Sequence, residues 1–162
     1  MMDKNIVKQI RDKAKELLSN GTIKCVLGYE TGTDGMNARP AFIYEPEDVD
    51  RLIFDNTCTH NLSTYLRDKR ENPVAIVVKP CDARAINVLL GERQIEREKV
   101  FIIGIVCQEV VQVSWGELSH DAQMRCKICN QHTPVIYDFL IGGPVDESAP
   151  KAEPPANVTA ME

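Results

Sequence analysis

Two apolar runs with a helical stretch between them constrain this chain more than any other feature. Pro73-Val-Ala-Ile-Val-Val-Lys-Pro80 ends at Cys81, and Val100-Phe-Ile-Ile-Gly-Ile-Val106 ends at Cys107. Short runs rich in valine and isoleucine read as strands buried on both faces. Asp82 to Arg93 has helix character, so the three pieces predict a parallel βαβ unit. Parallel strands end on the same side of a sheet. Cys81 and Cys107 are therefore expected on one rim, roughly 5 Å apart across the ladder if their strands are neighbours. The pair Cys126 and Cys129 forms a C-x-x-C further on. Folded back to that rim, it would give four convergent thiolates, the donor set of a [4Fe–4S] cluster or a structural zinc ion.

The remaining chain surrounds this unit without internal repeats. Residues 3–19 carry Ile6, Val7, Ile10, Ala14, Leu17 and Leu18 at helical spacing, with Asp3 as N-cap and Gly21 as stop. Thr22 to Tyr29 reads as a strand, and Ala41 to Tyr44 as a second. The loop between them holds Gly32 and Gly35. With Gly28 these do not make a G-x-G-x-x-G, and a strand follows, so a hairpin is preferred to a phosphate cradle. Residues 46–54, with Pro46 at the start, and residues 61–69 are helix candidates. Residues 108–125 read as irregular, and Pro134 to Ile141 as a short helix. The last residues, 144–162, contain Pro144, Pro150, Pro154 and Pro155 and lack apolar periodicity. The expected organisation is an α/β domain over 1–143 and a disordered tail or linker over 144–162.

Composition bounds the function. With 162 residues, 43% of them hydrophobic, the chain can bury one real core. A net charge of −5 argues against a nucleic-acid partner or an acidic membrane surface. No apolar stretch approaches the roughly 20 residues of a membrane span. The N-terminus has no signal-peptide core, so a cytoplasmic setting is expected, with the six cysteines as thiols or metal ligands rather than disulfides.

The cysteines divide by context. Cys25 lies within a strand and reads as a small buried hydrophobe. Cys58 sits in the polar turn Asp55-Asn-Thr-Cys-Thr-His-Asn61, where packing or a place behind the ligands is preferred to direct ligation. Zinc sites commonly use two close ligand pairs. Here one close pair stands with two single cysteines at strand ends, which favours iron–sulfur only modestly. His120 and His132 flank the pair and could substitute for cysteine at a zinc, although each reads more simply as a surface histidine.

Several blocks carry a family resemblance. Val78-Lys-Pro-Cys-Asp-Ala-Arg-Ala-Ile86, Val100-Phe-Ile-Ile-Gly-Ile-Val-Cys107, Arg125-Cys-Lys-Ile-Cys129 and Pro134-Val-Ile-Tyr-Asp-Phe-Leu-Ile-Gly142 resemble the N-terminal part of the coenzyme F420 hydrogenase/dehydrogenase beta-subunit family. Gly28 to Gly35, Arg39-Pro40 and Asn61 to Leu66 fit the same pattern. The similarity is greatest to short members found beside heterodisulfide reductase-like, hydrogenase and formate dehydrogenase subunits, and it spans roughly residues 1–143.

That resemblance implies iron–sulfur electron transfer in an anaerobic multi-subunit complex, with one [4Fe–4S] cluster on Cys81, Cys107, Cys126 and Cys129. The chain would then be an accessory electron-transfer subunit, with redox subunits or a flavoprotein as partners. Flavin is not expected on this chain, because the domain that holds flavin and F420 in longer members is not seen in it. Asp82 and the backbone N–H groups after Cys81 would lie at a helix N-terminus, with Asp82 as a capping residue behind the ligands. Lys79 and Arg84 would either offset cluster charge, dock a partner or lie solvated. The competing class is a zinc-stabilised scaffold without redox activity. No Ser/His/Asp or paired-carboxylate arrangement stands out.

Overall fold

The computed structural model describes residues 4–107, 111–114 and 117–143. The first element is helix α1, Lys4–Ser19, which buries Val7, Ile10, Ala14, Leu17 and Leu18 along one stripe. It stops at Gly21, whose φ of 73° lies in the left-handed region, and the Gly21 N–H closes on the Leu18 carbonyl at 3.2 Å. The expected N-cap Asp3 falls outside the described residues.

Strands β1 (Cys25–Thr31) and β2 (Ala38–Ile43) form an antiparallel hairpin across the loop at 32–37. The Gly32 N–H meets the Asn37 carbonyl at 2.6 Å to close it, so the glycine loop is a hairpin as expected. Residues 46–54 form a shorter element than a helix, a 3₁₀ turn over Pro46–Arg51. Residues 61–69 likewise break into two 3₁₀ turns, Leu62–Tyr65 and Arg67–Lys69. Both segments offer too few apolar positions to sustain an α-helical stripe, and the Asn61 side chain caps the first turn of the second by accepting from the Ser63 N–H.

The βαβ unit forms as read. Strand β3 (Val74–Val78), helix α2 (Pro80–Gly91) and strand β4 (Val100–Ile105) follow in order, and β3 pairs with β4 in parallel from Val74 opposite Val100 to Val78 opposite Gly104. All five β3 residues are buried. Burying each such valine or isoleucine is worth about 1.5–3 kcal/mol against an exposed reference. Helix α2 starts at Pro80, two residues earlier than the sequence suggests, because proline suits the first helical position.

Beyond β4 come strands β5 (Val111–Ser114) and β6 (Glu117–Ala122), an antiparallel pair in the stretch expected to be irregular. A four-residue helix α3, Met124–Lys127, carries Cys126. The last element corrects the sequence reading. Pro134 to Ile141 is not a helix; it ends in strand β7, Phe139–Ile141, which adds in parallel to β4. Its segment is held by backbone as well as side chain: the Asp138 carboxylate accepts the Ile102 N–H at 2.7 Å, and the Asp138 N–H donates to the Ile102 carbonyl at 2.9 Å.

The main sheet therefore runs β2-β1-β3-β4-β7, parallel except for the β2 edge. Helix α1 packs on β1, β3 and β7, and α2 on β3 and β4. Among the described residues no helix is long and apolar enough to cross a membrane. The expected tail, residues 144–162, lies outside the described residues.

One polar clamp holds the hairpin edge. The Glu30 carboxylate accepts from Arg39 Nε at 2.9 Å and from Arg51 Nε and Nη2 at 2.9 and 2.6 Å. Glu30→Gln should lower stability by about 1–2 kcal/mol, because two arginines then share a neutral acceptor. Chemical denaturation of the purified chain checks this, and an unchanged midpoint would show the clamp to be ornamental.

Candidate functional site

The carboxyl ends of β3 and β4 build the rim. Chain direction brings Cys81 there in the first turn of α2 and Cys107 two residues past Ile105. Cys107 is pinned from both sides: its N–H donates to the His132 carbonyl at 3.0 Å, and its own carbonyl lies 3.0 Å from His132 Nδ1. That reciprocal contact draws the segment after the C-x-x-C onto the end of β4. The C-x-x-C itself is a tight turn. The Cys126 N–H bonds to the Gln123 carbonyl at 2.8 Å and the Cys129 N–H to the Cys126 carbonyl at 3.3 Å, while the Gln131 N–H points at Cys129 Sγ from 3.5 Å.

None of the six cysteines is in a disulfide, and they sort as two kinds. Cys25 and Cys58 are fully buried, whereas Cys81, Cys107, Cys126 and Cys129 are half-buried. Cys107 feels the other three half-buried cysteines. Burial pushes the Cys107 thiol up to about 12, and negative charge on Cys81, Cys126 and Cys129 pushes the same way. Burial likewise raises Cys81, assisted by the Asp82 carboxylate. Among the described residues, no three His, Cys, Asp or Glu side chains stand at metal-holding spacing. The chemistry of the donor set nonetheless fits: four half-buried thiols, two just past adjacent strand ends and two in a C-x-x-C, are the soft ligands an iron–sulfur cluster or zinc takes.

The sequence reading missed what lies behind those thiols. Lys79 is 1% exposed. Its ammonium donates to Asp82 Oδ2 at 2.9 Å, to the His60 carbonyl at 2.9 Å and to the Tyr29 hydroxyl. Tyr29 in turn donates to the His60 carbonyl. Asp82 also accepts the Lys79 backbone N–H at 3.2 Å, which is the capping role expected of it, and its Oδ1 lies 3.7 Å from Cys81 Sγ. The one signal in the sequence was a lysine placed between a fully apolar run and a proline. Arg84, by contrast, is exposed.

Cys58 sits on the crossing segment that includes His60. It is fully buried, receives the Asp55 N–H at 3.4 Å, and is pushed up to about 12, chiefly by burial. Cys25 occupies the first position of β1 and is raised by burial too. Arg125, beside the C-x-x-C, reaches back to the Thr59 carbonyl at 2.9 Å and ties the two rim segments together. The side chain of His120 is outside the described residues, and the His132 ring is engaged with Cys107.

An alkaline limit follows from the buried thiols. The Cys58 and Cys107 thiols ionise near 9 in an unfolded chain and near 12 in the folded one. Stability is therefore intact at neutral pH and falls as pH rises from about 9 towards 12, where only the unfolded state ionises freely. Metal-free protein should show a declining thermal midpoint over that window, and Cys58→Ala should flatten the decline. An equally steep decline in that variant would exclude Cys58 as a cause.

The sheet is that of an α/β domain, with Cys81 and Cys107 just past the carboxyl ends of adjacent parallel strands. No family model matches the chain. Over 98 residues it is 34% identical to the beta subunit of F420-dependent formate dehydrogenase 1 from Methanococcus maripaludis, a match covering 57% of this chain and 24% of the relative. It is 31% identical to the beta subunit of the F420-dependent formate dehydrogenase of Methanocaldococcus jannaschii, covering 57% and 25%. The chain thus spans about a quarter of these relatives' length. A chain of the F420-reducing [NiFe] hydrogenase complex from Methanosarcina barkeri shares the fold, with a TM-score of 0.53 at 19% identity over 67% of this chain and 42% of that one. These similarities bear out the relationship to the F420 hydrogenase/dehydrogenase beta subunits that the sequence blocks carry.

Proposed function

We propose that the chain is an electron-transfer module of a multi-subunit anaerobic redox complex, working in the cytoplasm, with one [4Fe–4S] cluster on Cys81, Cys107, Cys126 and Cys129. The observation that supports this reading is that Cys81 and Cys107 follow the carboxyl ends of adjacent parallel strands, with the C-x-x-C near enough for its charge to act on Cys107. That the relatives are beta subunits of F420-dependent formate dehydrogenases supports a redox setting. Bound there, the cluster would exchange single electrons at a potential set by burial, hydrogen bonds and nearby charge.

This chain's own residues supply the holding. Helix α2 fixes Cys81 by its proline start, His132 pins Cys107, and Arg125 keeps the C-x-x-C against the crossing segment. Partners in this reading are a catalytic hydrogenase-, formate dehydrogenase- or heterodisulfide reductase-like subunit and a flavoprotein. In this reading residues 144–162 are a dispensable tail or a linker, and removal of residues 147–162 should leave the cluster in place.

The test is anaerobic purification of the chain, with iron, sulfide, zinc and flavin analysis and EPR after reduction. Iron and acid-labile sulfide near four per chain, without stoichiometric flavin, is the expected result. One zinc per chain with no visible absorbance would instead establish the scaffold reading, and tight flavin would overturn the assignment of flavin to a partner.

A further inference from the structure

The buried Lys79–Asp82 pair caps the start of α2 and lies directly behind Cys81. Resting on the cluster reading above, we infer that this pair sets the cluster's reduction potential, Lys79 favouring the reduced state and Asp82 opposing it.

The geometry carries the argument. Both side chains are 1% exposed, so solvent and salt screen them little. The ammonium is fixed by three acceptors from three separate parts of the fold: Asp82 on α2, Tyr29 on β1 and the His60 carbonyl of the crossing segment. Three N–H groups with three acceptors leave it no freedom to swing towards water. Asp82 divides its two oxygens, one 2.9 Å from Lys79 Nζ and the other 3.7 Å from Cys81 Sγ. The ammonium is therefore one carboxylate away from a rim sulfur, and its charge reaches Cys107 as well.

Reduction adds one electron to the rim and no compensating proton. A fixed, unscreened cation stabilises that added charge, and a fixed carboxylate against the sulfur destabilises it. The two effects have opposite sign, which separates this role from a purely structural one. If the pair only filled space, changing either member would alter stability and leave the potential where it was.

The experiment is a redox titration of the full 162-residue chain, followed by EPR, on the wild type and on Lys79→Met, Asp82→Asn and the double variant. Lys79→Met is expected to shift the reduction equilibrium at least tenfold towards the oxidised form, which is 59 mV for a one-electron couple. Asp82→Asn keeps an acceptor for the Lys79 N–H and is expected to shift it comparably towards the reduced form. The double variant should return near the wild-type value. If Lys79→Met does not fold, Asp82→Asn decides alone by the sign of its shift. Full iron with unmoved potentials, or shifts of one sign in both variants, would overturn this inference and leave the cluster reading standing. A wild-type chain that takes up no iron and sulfide would overturn the cluster reading itself, and this inference with it.

Discussion

Serine in place of Cys81, Cys107, Cys126 or Cys129 should strip most of the iron from the anaerobically prepared chain, while serine at Cys25 should leave it. A hydroxyl holds its proton at neutral pH and is a poor match for soft iron, so loss of one thiolate removes a whole corner of the donor set. Iron is expected to fall from about four per chain to below about one. Cys25 is buried at the amino end of β1, the opposite edge of the parallel strands from the rim, and its substitution acts on packing, at a cost of about 1–3 kcal/mol. Cys58→Ser belongs with Cys25: full burial against Asp55 and an absence of rim exposure make it a supporting residue. Iron retained in Cys107→Ser but lost in Cys25→Ser would invert the assignment.

The second large effect concerns Gly104, in the middle of the rim-side half of β4. A Cβ there would stand 2.9 Å from the Tyr137 Cβ and 3.2 Å from Pro134 Cγ. Neither atom is the loose end of a flexible chain, so the segment 134–138 must lift off the sheet. Gly104→Val should cost about 1–3 kcal/mol or more by overpacking. It should also lower iron content, because the displaced segment follows His132, which pins Cys107. Gly91→Ala is the matched control: nothing lies within 4 Å of its added Cβ, and at the last position of α2 it should change stability by no more than about 0.5 kcal/mol. Thermal unfolding and iron analysis on the same samples read both effects. A Gly104→Val protein with wild-type stability would show that the segment does not pack on β4 as described.

Much of this architecture was legible in the chain itself, for a physical reason. Strands β3 and β4 are buried on both faces, so their valines and isoleucines form unbroken runs that no exposed element would tolerate. Their parallel pairing then fixed where Cys81 and Cys107 emerge. Strand β7 was not legible. Val135, Ile136, Phe139 and Leu140 fall at spacings that suit a helix, yet Val135 and Tyr137 are among the more exposed apolar residues, and only Phe139–Ile141 pair. Three residues of strand carry too little pattern to outweigh a chance helical one. Strand β5, Val111-Gln-Val-Ser114, does alternate, but four residues are likewise too short a pattern to stand out. At the site, Cys81 and Cys107 were read from their positions after strands and Cys126 and Cys129 from their C-x-x-C spacing, but the Lys79 network was not legible. Its partners, Tyr29, His60 and Asp82, are distant in sequence or belong to different elements, and only the folded chain brings them around one ammonium.

The sheet's outermost strand also implies an order of assembly. β3 and β4 meet through a crossover of 21 residues, whereas β7 joins β4 only after 33 intervening residues. Closing that long excursion costs chain entropy that three residues of ladder offset only weakly. The inner strands should therefore be a finished platform while β7 still docks and undocks, so that the rim opens from its C-terminal side without disturbing the core. Amide exchange would register this as fast turnover at Leu140 and Ile141 beside slow turnover at Ile76 and Val77, and equal rates would show that the edge and the platform form together.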